Sequence, residues 1–545
     1  MRKAIAFFIV CAMLIPLGVS ASAADIDSAA TGAGTDAAIV AADYQEVGGI
    51  LEPTGELPSS YSSAALGLTT PVRSQRFNTC WAYSSTATME THLLKNSFPS
   101  FHLSPQHLNY WGCTTEQGTG WQRSYGDSGY PYISLGYMTS YGFIPENVFH
   151  QEKSYADYQA EKDSLYPYKS VDSVIYLDGN DRDTIKTAIY TYGAAVGNYH
   201  HSATFSSSGS VAYYCDQEGI ATGDLNGHAV ELVGWDDNYS RENFNAAHRP
   251  ANNGAWLCKN SWGASSGENG YFWISYEDNY LFDSRFGPSY AITGYTDMTA
   301  ITKIQQNEVY GATYQFDYVK SIRPKATKMT YANVLDFSDG YHNIDKVVFE
   351  SNSEGSAYTI YYVPVDDNGV PVIYTSQWTL LAQGTIEHPG YISANVYGFD
   401  APKTKGAIAV QIEKKATNGS YAIGVDEWLS SGGSYLFRPE SQYGQSYLIG
   451  YTIQPMDVKD FYKYTQLHDD IGGTFVIKAI CRSDDAVGDV DRDGEFSIID
   501  VTLSQRYQSN MRDLDREELR FADFDNDGVV DMIDCTRMQR SLCNL

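Results

Sequence analysis

The sequence predicts a multidomain chain: an α+β domain, then an all-β sandwich, then a small all-α module carrying two acidic loops. Three observations predict it. Helical and strand-like patterns alternate from Leu57 to about residue 292; helical periodicity then disappears from about 295 to 483; and "DVDRDGEFSIIDVTLSQRY" recurs as "DFDNDGVVDMIDCTRMQRS" at a spacing of 34 residues. At 545 residues the chain also exceeds one core, which seldom grows past about 250–300 residues.

Residues 1–24, MRKAIAFFIVCAMLIPLGVSASAA, read as a signal peptide. They have a basic start (Arg2, Lys3), an apolar stretch from Ile5 to Val19 broken by Pro16, and small residues Ala21, Ser22 and Ala23 that suit a signal peptidase. The expected mature chain is exported and begins near Ala24. No later segment approaches about 18 uninterrupted apolar residues, so no membrane span is predicted. Residues 25–56, rich in Ala, Gly, Thr and Asp without an apolar period, form a flexible lead-in. It is too short for a folded inhibitory propeptide, so no zymogen cleavage is expected.

A formal charge of -29 sets the chain against nucleic acid and anionic membrane, because both would repel it. Such acidity suits an exported, calcium-loaded protein. The 44 tyrosines supply contact surfaces for carbohydrate or peptide, although packing and β-propensity account for most tyrosines equally well. Cys11 leaves with the leader. Seven cysteines remain, and an odd number leaves at least one free thiol. Buried free thiols and a disulfide framework are both open for the others.

The first domain, 57–292, contains a helix over 80–96 and another over Asp183–Tyr192, followed by strands such as "HAVELVGW" and "GYFWISY". Cys80 falls in the first turn of its helix, capped by Asn78 or Thr79, where unpaired amides favour a thiolate. His228 follows 148 residues later in "LNGHAVELVGWDD", and Asn260 stands in "WLCKNSWG" ahead of Trp262 and Gly263. These residue types serve separate needs of acyl transfer. A cysteine attacks, a histidine moves the proton, and an amide fixes the imidazole tautomer without adding charge. His200 and His201 have no such context and read as ordinary polar residues.

This pattern resembles the papain-like cysteine peptidases. "PVRSQ" puts Gln75 in the place of the family's oxyanion-hole glutamine, while "LSPQHLNYW", "YPY" at 166–168 and "IKTAIYTYGAAV" resemble further family segments. The resemblance implies Cys80 as nucleophile, His228 as proton shuttle, Asn260 as its orienting partner, Gln75 as oxyanion donor and Trp262 as a shield over the His228–Asn260 bond. The sequence departs from the family at "QRFNTC", where five positions rather than six separate glutamine from cysteine and no glycine intervenes. Phe77 stands where the family has a cysteine, so the usual disulfide to the segment near Cys113 is not expected.

In the second domain, 295–483, short runs such as "KVVFES", "YTIYYVPV", "AIAVQIE" and "TFVIKAI" alternate with turns, which predicts an antiparallel sandwich. "NIDKVVFES" and "AYTIYYV" resemble the lectin-like domain behind some bacterial cysteine peptidases. Carbohydrate binding, a platform for protein substrate and a structural spacer are all open, with Trp378 and Trp428 among the candidate contacts.

The third domain, 484–545, repeats a D-x-D-x-D-G opening, in which alternate oxygens wrap a hard cation and glycine allows the turn. The first loop offers Asp489, Asp491, Asp493, the Glu495 carbonyl, Ser497 through water and Asp500; the second offers Asp523, Asp525, Asp527, the Val529 carbonyl, Asp531 and Asp534. No EF-hand helix is expected ahead of each loop. With 16 Asp plus Glu against 7 Arg, the segment should repel itself without metal. The duplication resembles a type I dockerin. That resemblance implies two calcium ions and a cohesin partner contacted by Ile498, Ile499 and Arg506 in one copy and Met532, Ile533 and Arg540 in the other.

The combined expectation is a secreted, extracellular cysteine endopeptidase held on a cellulosome-type scaffold at a bacterial surface. Its partners would be a protein or peptide substrate, a cohesin and, as a further candidate, carbohydrate; catalysis would need no cofactor. The rivals are a transpeptidase with the same triad and a catalytically silent protein that binds through its lectin-like domain.

Overall fold

The computed structural model describes residues 56–98, 100–113, 120–307, 313–316, 326–415, 420–426, 429–431, 434–439, 442–450, 454–465 and 473–543. The leader, nearly all of the lead-in, and Trp428 lie outside them. The polypeptide from Ser60 to Asp297 mixes helices with strands, the next stretch is mainly strands, and the last helices follow the acidic repeats.

The helix Cys80–Lys95 runs through the first domain, and its residues from Trp81 to Leu93 are all buried. Such a Ser/Thr-rich segment can be buried because its hydroxyls are satisfied locally: Ser85 Oγ donates to the Trp81 carbonyl at 2.6 Å and Thr86 Oγ1 to the Ala82 carbonyl at 2.9 Å. Its buried Glu90 accepts from Arg73 at 2.9 Å and from the Leu103 amide at 2.8 Å. Thr91 reaches the buried Glu231 of the strand Gly227–Asp236 at 2.5 Å. Polar partners, rather than an apolar stripe, register this helix on the sheet.

That strand lies between Ala195–His200 and Ala255–Lys259, both antiparallel to it. The pair Glu231–Lys259, directly opposed in the ladder, is also a buried ion pair at 3.2 Å. Such a pair fixes register more than it stabilises, because the charges are costly to desolvate. Gly234 is required where the edge strand Ser60–Ser62 crosses: a Cβ there would stand 2.1 Å from the Tyr61 carbonyl oxygen.

The described strands of this sheet number 12 and do not stop at the predicted junction near residue 295. Gly390 and Tyr391 pair with Ile175 and Val174, carrying the ladder from the first domain into the strand Gly390–Asp400 of the second. Buried Lys478 adds three bonds across the junction, to the Thr139 carbonyl, Thr139 Oγ1 and Ser140 Oγ at 2.7, 2.8 and 3.0 Å. Facing this half is a six-stranded antiparallel sheet, and residues from both sheets share one apolar core that includes Phe349, Ile360, Val410 and Ile477. A helix, Val458–Thr465, occurs where only strands were expected. Trp378 is half-buried, its indole donating to the Val372 carbonyl at 2.9 Å.

The acidic repeats lead into the helices Ile498–Gln508 and Met532–Leu542, each begun by a reciprocal capping box, Ser497 with Asp500 and Asp531 with Asp534. The expectation that no helix precedes the loops needs correction for the second copy. The short helix Arg516–Ala522 runs into it, capped by Asp515 and Glu518. Among the described residues no helix is long and apolar enough to cross a membrane.

Candidate active site and acidic loops

Helix and strands bring the sequence-predicted residues together. Cys80 opens its helix, so its amide lies among the first-turn N–H groups that have no intrahelical acceptor. The predicted cap is absent: Thr79 holds the N-cap position without a side-chain cap bond and instead donates to the Arg76 carbonyl. Cys80 is half-buried. Burial pushes its thiol pKa up, and the backbone amide of Ala229, the residue after His228, opposes that rise by hydrogen-bonding the sulfur. Cys80 and the strand of His228 are therefore adjacent.

His228 Nε2 lies 2.9 Å from Asn260 Oδ1. The Ser261 amide donates to the same Oδ1 at 2.8 Å, which identifies that atom as the carbonyl oxygen. His228 must then donate from Nε2 and keep its Nδ1 lone pair for a proton. Trp262 stacks on the imidazole, ring centres 4.4 Å apart. Burial lowers the His228 pKa to about 4; the Asn260 bond opposes the shift and His201 adds to it.

His201 is thus not the ordinary polar residue that the sequence suggests. Its ring meets Trp262 edge-on at 4.9 Å, and its Nδ1 lies 3.1 Å from the Tyr199 hydroxyl. Tyr199 stands opposite His228 in the ladder. Pairing between strands, invisible along the chain, joins these aromatic groups.

Gln75 is fixed from the asparagine side. Its amide N–H donates to the Ser261 carbonyl at 2.7 Å, its Oε1 accepts from Ser261 Oγ at 2.6 Å, and its Nε2 donates to the Phe77 carbonyl at 3.0 Å. A carboxamide nitrogen carries two hydrogens, so one remains for an oxyanion. Ser261 was not singled out by sequence; its neighbour Asn260 was the only signal. The short "QRFNTC" connection closes through Phe77, which adopts φ 59°, left-handed backbone normally left to glycine.

The described cysteines are all free. Where the family's disulfide is missing, Arg123 bridges the same region. Its guanidinium donates to the Asn109 carbonyl at 2.9 Å, to Cys113 Sγ at 3.1 Å and to the Asp127 carbonyl at 2.8 Å, and it covers the Trp81 ring at 5.0 Å.

The acidic loops repeat one geometry. Asp489 accepts from the amides of Asp493 and Gly494 at 3.1 and 2.9 Å, and Asp523 accepts from those of Asp527 and Gly528 at 3.0 and 2.9 Å. Carboxylate oxygens of Asp489, Asp491 and Asp493, and likewise of Asp523, Asp525 and Asp527, gather within 4.8 Å of one another. Asp500 and Asp534 are buried. Burial and the neighbouring Asp534 charge push the Asp523 pKa up to about 7. Crowded, desolvated carboxylates fit a hard divalent cation. Ser497 and Asp531 use their side chains as helix caps, while Glu495 and Val529 hold the corresponding loop positions. The pairs Ile498–Ile499 and Met532–Ile533 are more than half exposed, and Arg506 and Arg540 are exposed as well.

Comparison with known proteins follows the same division. The model of the papain family cysteine protease matches residues 57–291, that of the lectin-like domain 313–480, and that of the type I dockerin domain 487–543. The chain is 29% identical to a cathepsin L-like peptidase of Aedes aegypti and 27% identical to cathepsin K of Mus musculus, in each case over 41% of this chain. It spans 60% and 62% of those proteins' length. A solved structure of the clostridial cysteine protease Cwp84 after propeptide cleavage is similar with a TM-score of 0.68 at 31% identity, covering 78% of this chain and 100% of that one. The cysteine protease and lectin-like domains of Cwp84, a surface layer associated protein of Clostridium difficile, give 0.67 at 32%, covering 79% and 90%.

Proposed function

This chain belongs to the papain family of cysteine peptidases, and from that premise we propose that it is a secreted endopeptidase hydrolysing peptide bonds through Cys80, His228 and Asn260. The observation that carries the reading is the His228–Asn260 bond beneath Trp262, with the Cys80 sulfur held beside the same strand.

Burial raises the Cys80 pKa and lowers that of His228, and so favours the uncharged pair over separated charges. His228 Nδ1 takes the thiol proton, the sulfur attacks the peptide carbonyl, and the close imidazolium stabilises the developing charge in a medium of low dielectric. The free Gln75 N–H and the Cys80 amide receive the oxyanion. The proton on His228 passes to the leaving amine, and water then cleaves the thioester with His228 as base. Asn260, itself fixed by the Ser261 amide, prevents the imidazole from turning over. None of these steps calls on a cofactor.

The dockerin supplies attachment. Two calcium ions would be held by Asp489, Asp491, Asp493 and Asp500, and by Asp523, Asp525, Asp527 and Asp534, neutralising the loops so that their helices can pack. The exposed apolar pairs beside Arg506 and Arg540 suit a protein interface, and a cohesin is the partner that the dockerin match supports. On this reading the protein works outside the cell, attached to a scaffold. New chain termini produced from an unfolded protein mixture, read by mass spectrometry, test the activity. Cuts that disappear with Cys80→Ala support hydrolysis; ligated products that appear on adding an amine nucleophile would favour transpeptidation.

A further inference from the structure

The two acidic loops share a sequence pattern but not an environment. In the first, Asp491 and Asp493 are exposed; in the second, Asp525 and Asp527 are partly buried. The glycines at loop position six differ in the same sense. Nothing lies within 4 Å of a Cβ placed on Gly494, whereas one on Gly528 would stand 2.9 Å from Pro145 and 3.0 Å from Val148. The second loop is packed against the peptidase domain.

The contacts are polar as well as steric. The Tyr166 hydroxyl donates to Asp523 Oδ2 at 3.0 Å, and the Asn526 amide donates to the Tyr168 carbonyl at 3.3 Å. From the helix that enters the loop, Arg516 reaches the Leu165 carbonyl at 2.9 Å, while Arg520 reaches the Thr299 carbonyl at 2.9 Å and lies over the Tyr166 ring at 5.6 Å. Ala300 belongs to the same apolar cluster as Val501, Phe521 and Met538 of the dockerin. Asp525, a side chain only 8% exposed, pairs with Arg537 through Oδ2 at 3.4 Å, and its other carboxylate oxygen, the buried Oδ1, has no hydrogen-bond partner, which leaves it for a ligand.

We propose that the second loop is an interdomain calcium latch. Tyr166 orients the first carboxylate of that loop, so a cation bound there fastens the dockerin to the peptidase domain, while the first loop serves the dockerin alone. The inference rests on the reading that both loops bind calcium. A hydrogen bond to a ligating carboxylate fixes which oxygen faces the ion, and removing such a partner commonly costs about 10–100-fold in affinity. Closing the loop around the ion also sets Asn526 and Gly528 against the wall formed by Pro145, Val148 and Tyr168. Ion binding and docking are then linked, and each must strengthen the other.

The test uses the full chain, stripped with chelator and titrated with calcium by calorimetry, together with hydrogen exchange over residues 143–169. Parent protein should bind two ions. Tyr166→Phe, which keeps the ring under Arg520, should weaken one site by about tenfold or more and leave the other unchanged. Calcium should slow exchange in 143–169 in the parent and in Asp491→Ala, but not in Asp525→Ala. Two unchanged affinities in Tyr166→Phe, or protection that persists in Asp525→Ala, would overturn the latch while leaving calcium binding intact. No binding by the parent would overturn the calcium reading and the latch with it.

Discussion

The two halves of the candidate active site are built by different means. His228 and Asn260 stand on or beside neighbouring strands whose register is fixed by a ladder and by the buried Glu231–Lys259 pair. Gln75 and Cys80 are joined by an irregular stretch that bends through Phe77 in a left-handed conformation. Strand register places a side chain to within a fraction of a residue spacing, whereas a bend is only as firm as its anchors. Here the anchor is Ser261, which holds Gln75 by backbone and side chain and so ties the nucleophile half to the asparagine half.

Breaking either half separates them by magnitude. His228→Ala would take away the proposed proton shuttle, and peptide hydrolysis should fall by at least about 10³-fold in kcat. Gln75→Ala would take away one proposed oxyanion donor, for an expected loss of about 10²-fold in kcat with little change in KM. Ser261→Ala should follow Gln75→Ala in direction at smaller size, because its backbone carbonyl still holds the Gln75 amide. Steady-state kinetics on one peptide substrate would rank all three.

The base half also carries a pH signature. Burial lowers the pKa of His228 and His92 to about 4 and that of His107 to about 3. An unfolded chain takes up these protons first, below about 6.5. These histidines should therefore cost no stability above about pH 6.5 and progressively more as pH falls toward about 4, against the opposite trend from Asp278, whose burial raises its pKa to about 6; melting temperatures of the parent and of His107→Gln across that window would isolate the histidine part.

The smallest effect sharpens the nucleophile half. Phe77→Ile puts a β-branched side chain at φ 59°, adds crowding beyond what Phe77 already bears there, and should lower the melting temperature. Phe77→Gly removes that strain but also the edge contact with Tyr125 at 5.5 Å, so its melting temperature should stay near that of the parent.

This contrast also explains what could be read in the sequence. The meeting of His228, Asn260 and Trp262 was legible because their residue types and order along the chain are distinctive, and the gathering of the acidic side chains because carboxylate spacing is local. Ser261 and His201 were not, since their roles arise from partners on other strands. The Phe77 bend was hidden because a missing glycine does not say which residue takes its conformation. Arg123 gathers the segment around Cys113 mainly through hydrogen bonds to backbone carbonyls, which leave no sequence pattern. The helix Val458–Thr465 was missed because its aromatic residues match strand propensity, and the sheet that crosses residue 295 because pairing between Tyr391 and Val174 is long-range.

The most direct measurement of the central claim is reaction of the purified protein with a peptidyl thiol-reactive electrophile, followed by intact mass and peptide mapping. A single adduct on Cys80 is expected, formed much more slowly in His228→Ala, despite an exposed competitor in Cys543. Modification of Cys543 with Cys80 left free, or labelling of Cys80 at the same rate in both proteins, would contradict it.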